Sequence, residues 1–389
     1  MKIADAHLAY CTNIHPAETW GETWEALKKH TLSVRDKVAP PGTPYAIGLR
    51  LSAVAAGELL QGDNLENFQQ WLSEENCYVF TINGFPYGSF HGTRVKEKVY
   101  QPDWTSSERL EYTNNLFIII AQLLPEGIEG SVSTLPGSFK EFHADEAALF
   151  KNLEACAKSI EVLSGLFERD LHLGLEPEPL GHFENTEETL AFFERFLDTV
   201  DDPELIKRRI GINYDTCHFA LEFDDCHRSL AALRDAGLRI SKVHLSSALE
   251  FDPTSEEALE KIRDFDEPTY LHQVIVQGHN GKLARFKDLP EYLVTRSDKA
   301  PTPDARILSA DEKGRIHFHI PLYAQPEPPL ASTQDHARDA LAYFQQHPNF
   351  CRHFEIETYT WGVLPGALQI PVEDQIAREY EWVRSNISF

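Results

Sequence analysis

Short apolar runs alternate with longer stretches of helical periodicity along this chain. Leu171, Leu173 and Leu175 stand at strand spacing, which puts them on one face of an extended segment. The run stops at Glu176, and Pro177 and Pro179 cannot donate to further ladder bonds. A residue before proline is held extended, so Glu176 and Glu178 are presented stiffly past the strand's end. Residues 7–12, 45–51, 77–82, 130–134, 210–214, 240–245 and 354–359 read as seven further strands. Helical patterns fill the intervals, at 18–38, 53–75, 106–124 and 225–236 among others. The clearest is Leu149, Leu153, Cys156, Ile160 and Leu163, spaced by threes and fours. Asn185 or Thr186 suits the cap of the next helix, and Gly237 suits the position after a helix end.

Eight strand signals, each followed by a helix, predict an α/β chain with a parallel sheet. The fold class expected is a (β/α)8 TIM barrel. No Gly-x-Gly-x-x-Gly turn follows the first strand, which removes the main dinucleotide-binding alternative. The 389 residues exceed the roughly 250 of a typical barrel, and residues 248–332 break the alternation. They hold helical pieces, a Pro-rich run, an expected hairpin around Asp311-Glu312-Lys313-Gly314, and Ile316-His317-Phe318-His319-Ile320-Pro321. They read as an insertion after strand seven within one barrel domain spanning 1–389. The C-terminal ends of barrel strands face the catalytic mouth, so this insertion is expected to form a lid or wall there.

Composition narrows the partners. The formal charge of −25 disfavours a nucleic-acid backbone or an anionic membrane. The longest basic cluster, Arg94 to Lys98, is short and contains Glu97. No signal-peptide pattern or long apolar span is present, and six scattered cysteines form no CxxC pair. A cytoplasmic protein with free thiols and no membrane insertion is expected.

Glu176, Asp215, His244 and Glu357 all fall at predicted strand ends. Each alone reads as a helix cap, an ion-pair partner or a core histidine. Together, carboxylates with an imidazole make a site for a divalent ion such as Mn, Mg, Co or Zn. Without an ion, like charge should raise the pKa of at least one of Glu176, Asp215 and Glu357. His218, three residues past Asp215, either ligates a second metal or supports the ligands of the first. His15, Arg50, His91, Glu178 and His319 are candidate substrate-binding residues near the same face. A strand can carry exposed histidines, which is the plain reading of both His317 and His319; His319, before Ile-Pro, is the better candidate of the two. Phe85, Tyr87 and Phe90 read equally well as a stacking surface for a metabolite and as core.

Leu-Glu-Pro-Glu-Pro, at 175–179, resembles the Glu-Pro-Lys-Pro motif of xylose isomerases, whose Glu is a metal ligand. Tyr-Asp-Thr-Cys-His, at 214–218, resembles the Asp-Thr-x-His motif of ketose 3-epimerases. Val243-His244 and Glu357 complete that family's ligand order. Thr-Asn-Ile-His-Pro, Gly-Leu-Arg-Leu-Ser and Asn-Gly-Phe-Pro-Tyr-Gly-x-Phe-His-Gly resemble a narrower group of xylose isomerase-like barrels, the EboE-type metabolite traffic proteins. The resemblance implies a metal-dependent isomerase or epimerase acting on a small, polyhydroxylated metabolite. Glu176 and Glu357 would be the catalytic pair, one removing the proton alpha to a carbonyl and the other returning it. Glu178 stands where xylose isomerase has its catalytic lysine, so that enzyme's hydride shift is not expected. A non-catalytic metabolite-binding protein is the alternative. An endonuclease IV-like phosphodiesterase is disfavoured by the acidic charge.

Overall fold

The computed structural model describes residues 1–389 apart from 4, 90, 93, 279–280, 297–311, 367–368 and 388–389. A two-residue strand, β1 (Lys2–Ile3), pairs antiparallel with β2 (Ala6–Tyr10). Then come β3 (Tyr45–Arg50), β4 (Cys77–Asn83), β5 (Gly130–Thr134), β6 (Leu171–Leu175), β7 (Ile210–Asp215) and β8 (Ile240–Leu245). Five strands of the insertion follow: β9 (Leu249–Phe251), β10 (Val274–Gln277), β11 (Leu283–Phe286), β12 (Lys313–Ile316) and β13 (Leu330–Ser332). The last, β14 (His353–Ile356), returns to the main sheet.

That sheet runs β2-β14-β8-β7-β6-β5-β4-β3, every pair parallel. Its edges meet. Cys11 bridges Gly48 in parallel, and the Arg50 amide donates to Thr12 Oγ1 at 2.8 Å. The result is a closed eight-stranded (β/α)8 barrel. Alternation along each strand sorts the side chains. Leu171, Leu173 and Leu175 pack outward in the helix-facing core, whereas His172, Gly174 and Glu176 face the axis. The axis is polar. Thr81, Ser131 and His353 interlock near its base, and the Lys242–Glu355 ion pair lies above them.

Helix starts follow capping rules. Asn185 accepts from the Glu188 amide and Asp225 from the Arg228 amide. Gly237 has φ +71°, the left-handed conformation that ends helices. The interval between β6 and β7 holds two helices, Thr186–Thr199 and Pro203–Arg209, because Asp202 caps a second start with Pro203 in its first turn. The last barrel strand stops at Ile356, short of the expected Tyr359, and a 3-10 helix, Tyr359–Val363, begins soon after.

The insertion forms its own antiparallel sheet, β11-β10-β12-β9-β13, with a separate apolar core around Phe251, Ile262, Val274, Tyr292 and Phe318. In place of a hairpin at 311–314, Lys313 and Gly314 open β12, which pairs with β10 and β9; Asp311 lies outside the described residues, as does most of the Pro-rich run. The insertion is tied to the loop after β4. The Val95 amide donates to Thr269 O at 2.9 Å, and Lys96 pairs with Asp288 at 2.5 Å. Among the described residues, no helix is long and apolar enough to cross a membrane, and all six cysteines are free and buried.

Candidate metal centre

Asp215 ends β7 and caps the helix Thr216–Leu221. Its Oδ1 accepts from the amides of Cys217 (2.7 Å) and His218 (3.1 Å) and from Ser246 Oγ (2.6 Å). Its Oδ2 is buried without a hydrogen-bond partner, 3.6 Å from His244 Nδ1. The cap also places His218 in the first turn of that helix. Glu176 follows β6. Its Oε1 lies 3.0 Å from His244 Nδ1, and its Oε2 is buried and unpartnered. Glu176, Asp215 and His244 each offer a ligand atom, and these atoms lie within 4.8 Å of one another.

Below them, His244 Nε2 meets Glu355 Oε2 at 2.9 Å, and Lys242 Nζ meets the same oxygen at 2.6 Å. An acceptor on the far nitrogen of a ligating imidazole orients the ring. A Cβ at Gly48 would collide with this Glu355 carboxylate, so the close approach needs glycine there. Lys242 and Glu355 were not foreseen as site residues. Their signal was the two-residue period, which puts Lys242 on the face of His244 and Glu355 on the face of Glu357.

Burial alone would lower the His244 pKa, but Glu176 and Asp215 raise it well above the usual imidazole value. Burial likewise pushes Asp215 up, but His218 and His244 hold it well below the usual carboxylate range. Glu357 is also held low, against burial, by His319. The expected raised carboxyl among Glu176, Asp215 and Glu357 is therefore not seen at Asp215 or Glu357, because imidazoles relieve the repulsion. Glu178, beside them, does rise, through burial and the neighbouring Glu176 charge.

Glu357 does not join the Glu176–Asp215–His244 group. Its Oε1 accepts from Asn13 Nδ2 at 2.7 Å, and its Oε2 lies 3.0 Å from His319 Nδ1. His218 turns Nδ1 to Pro177 O at 3.1 Å. His319 and His317, separated by Phe318 on the chain segment after β12, are both buried, and their Nε2 atoms are 3.2 Å apart. The other predicted residues stand behind the mouth. His15 stacks on His30 and bonds Tyr10 Oη; Arg50 donates to Ala17 O (2.6 Å) and Gly88 O (2.8 Å); His91 bonds Asn13 O and Tyr270 Oη. Arg50 and His91 thereby tie the mouth's loops together.

A cleft opens above the site. Glu176, Glu178, His218, His317 and Glu357 form its polar end, and Phe85, Tyr100, Tyr270, Leu271 and Tyr359 its apolar wall. Tyr270, Leu271, Gln273 and His317 come from the insertion. Tyr87 packs instead on Tyr112 and Arg109, and Phe90 lies outside the described residues.

No family model and no curated protein matches the chain. Among solved structures it is similar to the probable 3-DHS dehydratase AsbF, involved in petrobactin synthesis, from Bacillus anthracis: 11% identity over 97% of this chain and 98% of that one, TM-score 0.48. It is similar to the IOLI protein with a bound zinc atom, at 11% identity over 98% and 97% of the two chains, TM-score 0.48. It is also similar to a D-tagatose 3-epimerase-like protein, at 12% identity over 98% and 100%, TM-score 0.48. The barrel assignment stands on this chain's own strand order and closure.

Proposed function

We propose that this protein is a divalent-metal-dependent isomerase or epimerase that moves a proton alpha to a carbonyl of a small, polyhydroxylated metabolite. The observation that carries this reading is the convergence of Glu176, Asp215 and His244, with two carboxylate oxygens buried and unpartnered beside one imidazole. That donor set suits a divalent ion. When bound, such an ion supplies Lewis-acid polarisation of a carbonyl.

The chain's own residues do the rest. Asn13 and His319 hold both oxygens of Glu357, so its carboxylate is a positioned proton acceptor at the edge of the cleft. Glu176, also lining the cleft, is the second carboxylate. The aromatic wall excludes water and offers flat faces for the C–H surface of a sugar-like substrate. Lys96, the cation among the described cleft-lining residues, is already paired with Asp288, which does not favour a phosphodiester. A role in metabolite handling of the EboE type is part of the proposal. Its support is that segments carrying that resemblance supply Asn13, Asn83 and Phe85 to the cleft.

The test is solvent deuterium exchange. Zinc- or manganese-loaded protein is incubated with a panel of ketoses and related polyols in D2O and followed by NMR. Incorporation alpha to a carbonyl is expected, and its loss in both Glu176→Gln and Glu357→Gln. Binding of a panel member without exchange would support the non-catalytic alternative and overturn this reading.

A further inference from the structure

The Glu176–Asp215–His244 group leaves three buried imidazoles unexplained. His218 Nε2 and His317 Nε2 are 3.0 Å apart, and His317 Nε2 and His319 Nε2 are 3.2 Å apart. What lies between them depends on which nitrogens carry hydrogen, and the neighbours decide that. A carbonyl oxygen only accepts. His218 Nδ1 faces Pro177 O at 3.1 Å and His319 Nδ1 faces Glu357 O at 2.9 Å, so both Nδ1 atoms are protonated. His317 Nδ1 faces Gln273 Oε1 at 2.7 Å. The orientation of that amide is set in turn, because Gln273 Nε2 donates to Pro179 O at 3.0 Å. His317 Nδ1 therefore carries hydrogen too.

When neutral, all three rings turn Nε2 lone pairs toward one another. Such contacts repel unless a proton or a cation sits among them. Two nitrogens bound to one tetrahedral ion at about 2.0–2.1 Å lie about 3.3 Å apart, close to the spacings seen. Anionic donors flank the trio. Glu178 groups with His218 and His317, Cys217 with His317 and His319, and Asp215 with His218 and His319. Glu178 Oε1 is buried and lacks a hydrogen-bond partner.

We infer that His218, His317 and His319 form a second metal site, completed by one of these anionic donors, that takes an imidazole-preferring transition ion such as Zn²⁺ or Co²⁺ in preference to Mg²⁺ or Ca²⁺. Two of its three imidazoles belong to the insertion. That segment then does more than wall the cleft: ion binding pins it to the barrel mouth. The inference rests on the proposed function only through Asp215, which both groups share.

The experiment is metal stoichiometry on the purified full-length protein, stripped with chelator, reloaded with zinc, dialysed and measured by mass spectrometry, with the cobalt form read by its visible spectrum. Two zinc ions per chain are expected in wild type. One is expected in His317→Ala/His319→Ala, with loss of the intense tetrahedral cobalt band, and one in Glu176→Gln, with that band retained. Thermal melts report whether the double variant folds, and His317→Gln, which can still bond Gln273, is the milder substitute. One ion in wild type that survives the double substitution but not Glu176→Gln overturns the second site and leaves the proposed function standing. One ion that survives Glu176→Gln but not the double substitution does the reverse. No bound zinc or cobalt overturns both.

Discussion

The barrel carries two trios of buried histidines, one near its base and one at its mouth. At the base, His7 and His353 meet edge to face with ring centres 6.0 Å apart, and His172 lies 5.5 Å from His353. Their neighbours are hydroxyls, aromatic rings and the Glu129 carboxylate, which lies 3.6 Å from His172 Nε2 and is paired with Arg239. His7 Nδ1 meets Tyr78 Oη at 2.9 Å, His353 Nδ1 meets Ser131 Oγ at 2.8 Å, and His7 stacks on Phe80. Burial lowers all three pKa values, that of His7 to about 4. At the mouth, three Nε2 atoms converge among carboxylates and a thiol. Burial is common to both trios, so burial does not make a site. What differs is the acceptor on Nδ1, and that the carboxylate at the base, Glu129, is already paired with Arg239. Hydroxyls leave the tautomer free, whereas carbonyls impose it.

The largest expected effect separates mouth from base. Glu176→Gln should cut turnover by about 10³-fold or more and remove the ion of its own group. Wild-type protein should gain about 2.7 kcal/mol of stability with zinc at a hundred times its dissociation constant, read as a rise in Tm. If no divalent ion shifts Tm at any concentration, mouth and base are alike and the comparison collapses.

The next effect lies between the two trios. Lys242→Met leaves the fully buried Glu355 carboxylate with His244 as its remaining partner and should cost up to about 3–5 kcal/mol in chemical denaturation. Lys242→Met/Glu355→Leu should recover part of that loss, because the buried carboxylate is removed together with its lysine.

A third prediction sharpens the contrast through pH. Glu379, on the final helix Val372–Asn386, accepts from Thr358 Oγ1 at 2.6 Å and the Leu322 amide at 3.1 Å, bracing the segments that carry Glu357 and His319. Burial pushes its pKa up to about 7 from 4.5. Between pH 4.5 and 7 the unfolded chain has lost this proton and the folded chain keeps it. Stability therefore falls with rising pH across that window, by up to roughly 3 kcal/mol. Glu379→Gln should remove this contribution, giving a higher denaturation midpoint than wild type at pH 8 and little difference at pH 4.

The smallest effect belongs to the base. His7 is lowered, so its contribution has the opposite sign: it is present above pH 6.5 and lost as pH falls toward 4. His7→Phe should flatten that acid limb and cost about 1 kcal/mol at pH 8 for the lost Tyr78 bond. Zinc content should not change. Loss of an ion in this variant would erase the distinction between the trios.

Period-two alternation and helical spacing alone were enough to predict the eight strands, the helices between them and the break at 248–332, because these signals are local. The same locality exposed Glu176, Asp215, His244 and Glu357, since each sits where a strand's apolar run ends. The grouping of those residues is not local. Glu357 pairs with Asn13, 344 positions away, and His218 meets His317 across 99. His317 and His319 look in the sequence like alternate positions of an exposed strand. The insertion instead folds them over the mouth, with Gln273 and the Glu357 carbonyl setting their tautomers. Residue spacing specifies which way a side chain leaves its own element. Only the packing of distant elements decides which donor faces which acceptor, and here that choice brings the Nε2 atoms of histidines from two distant segments together.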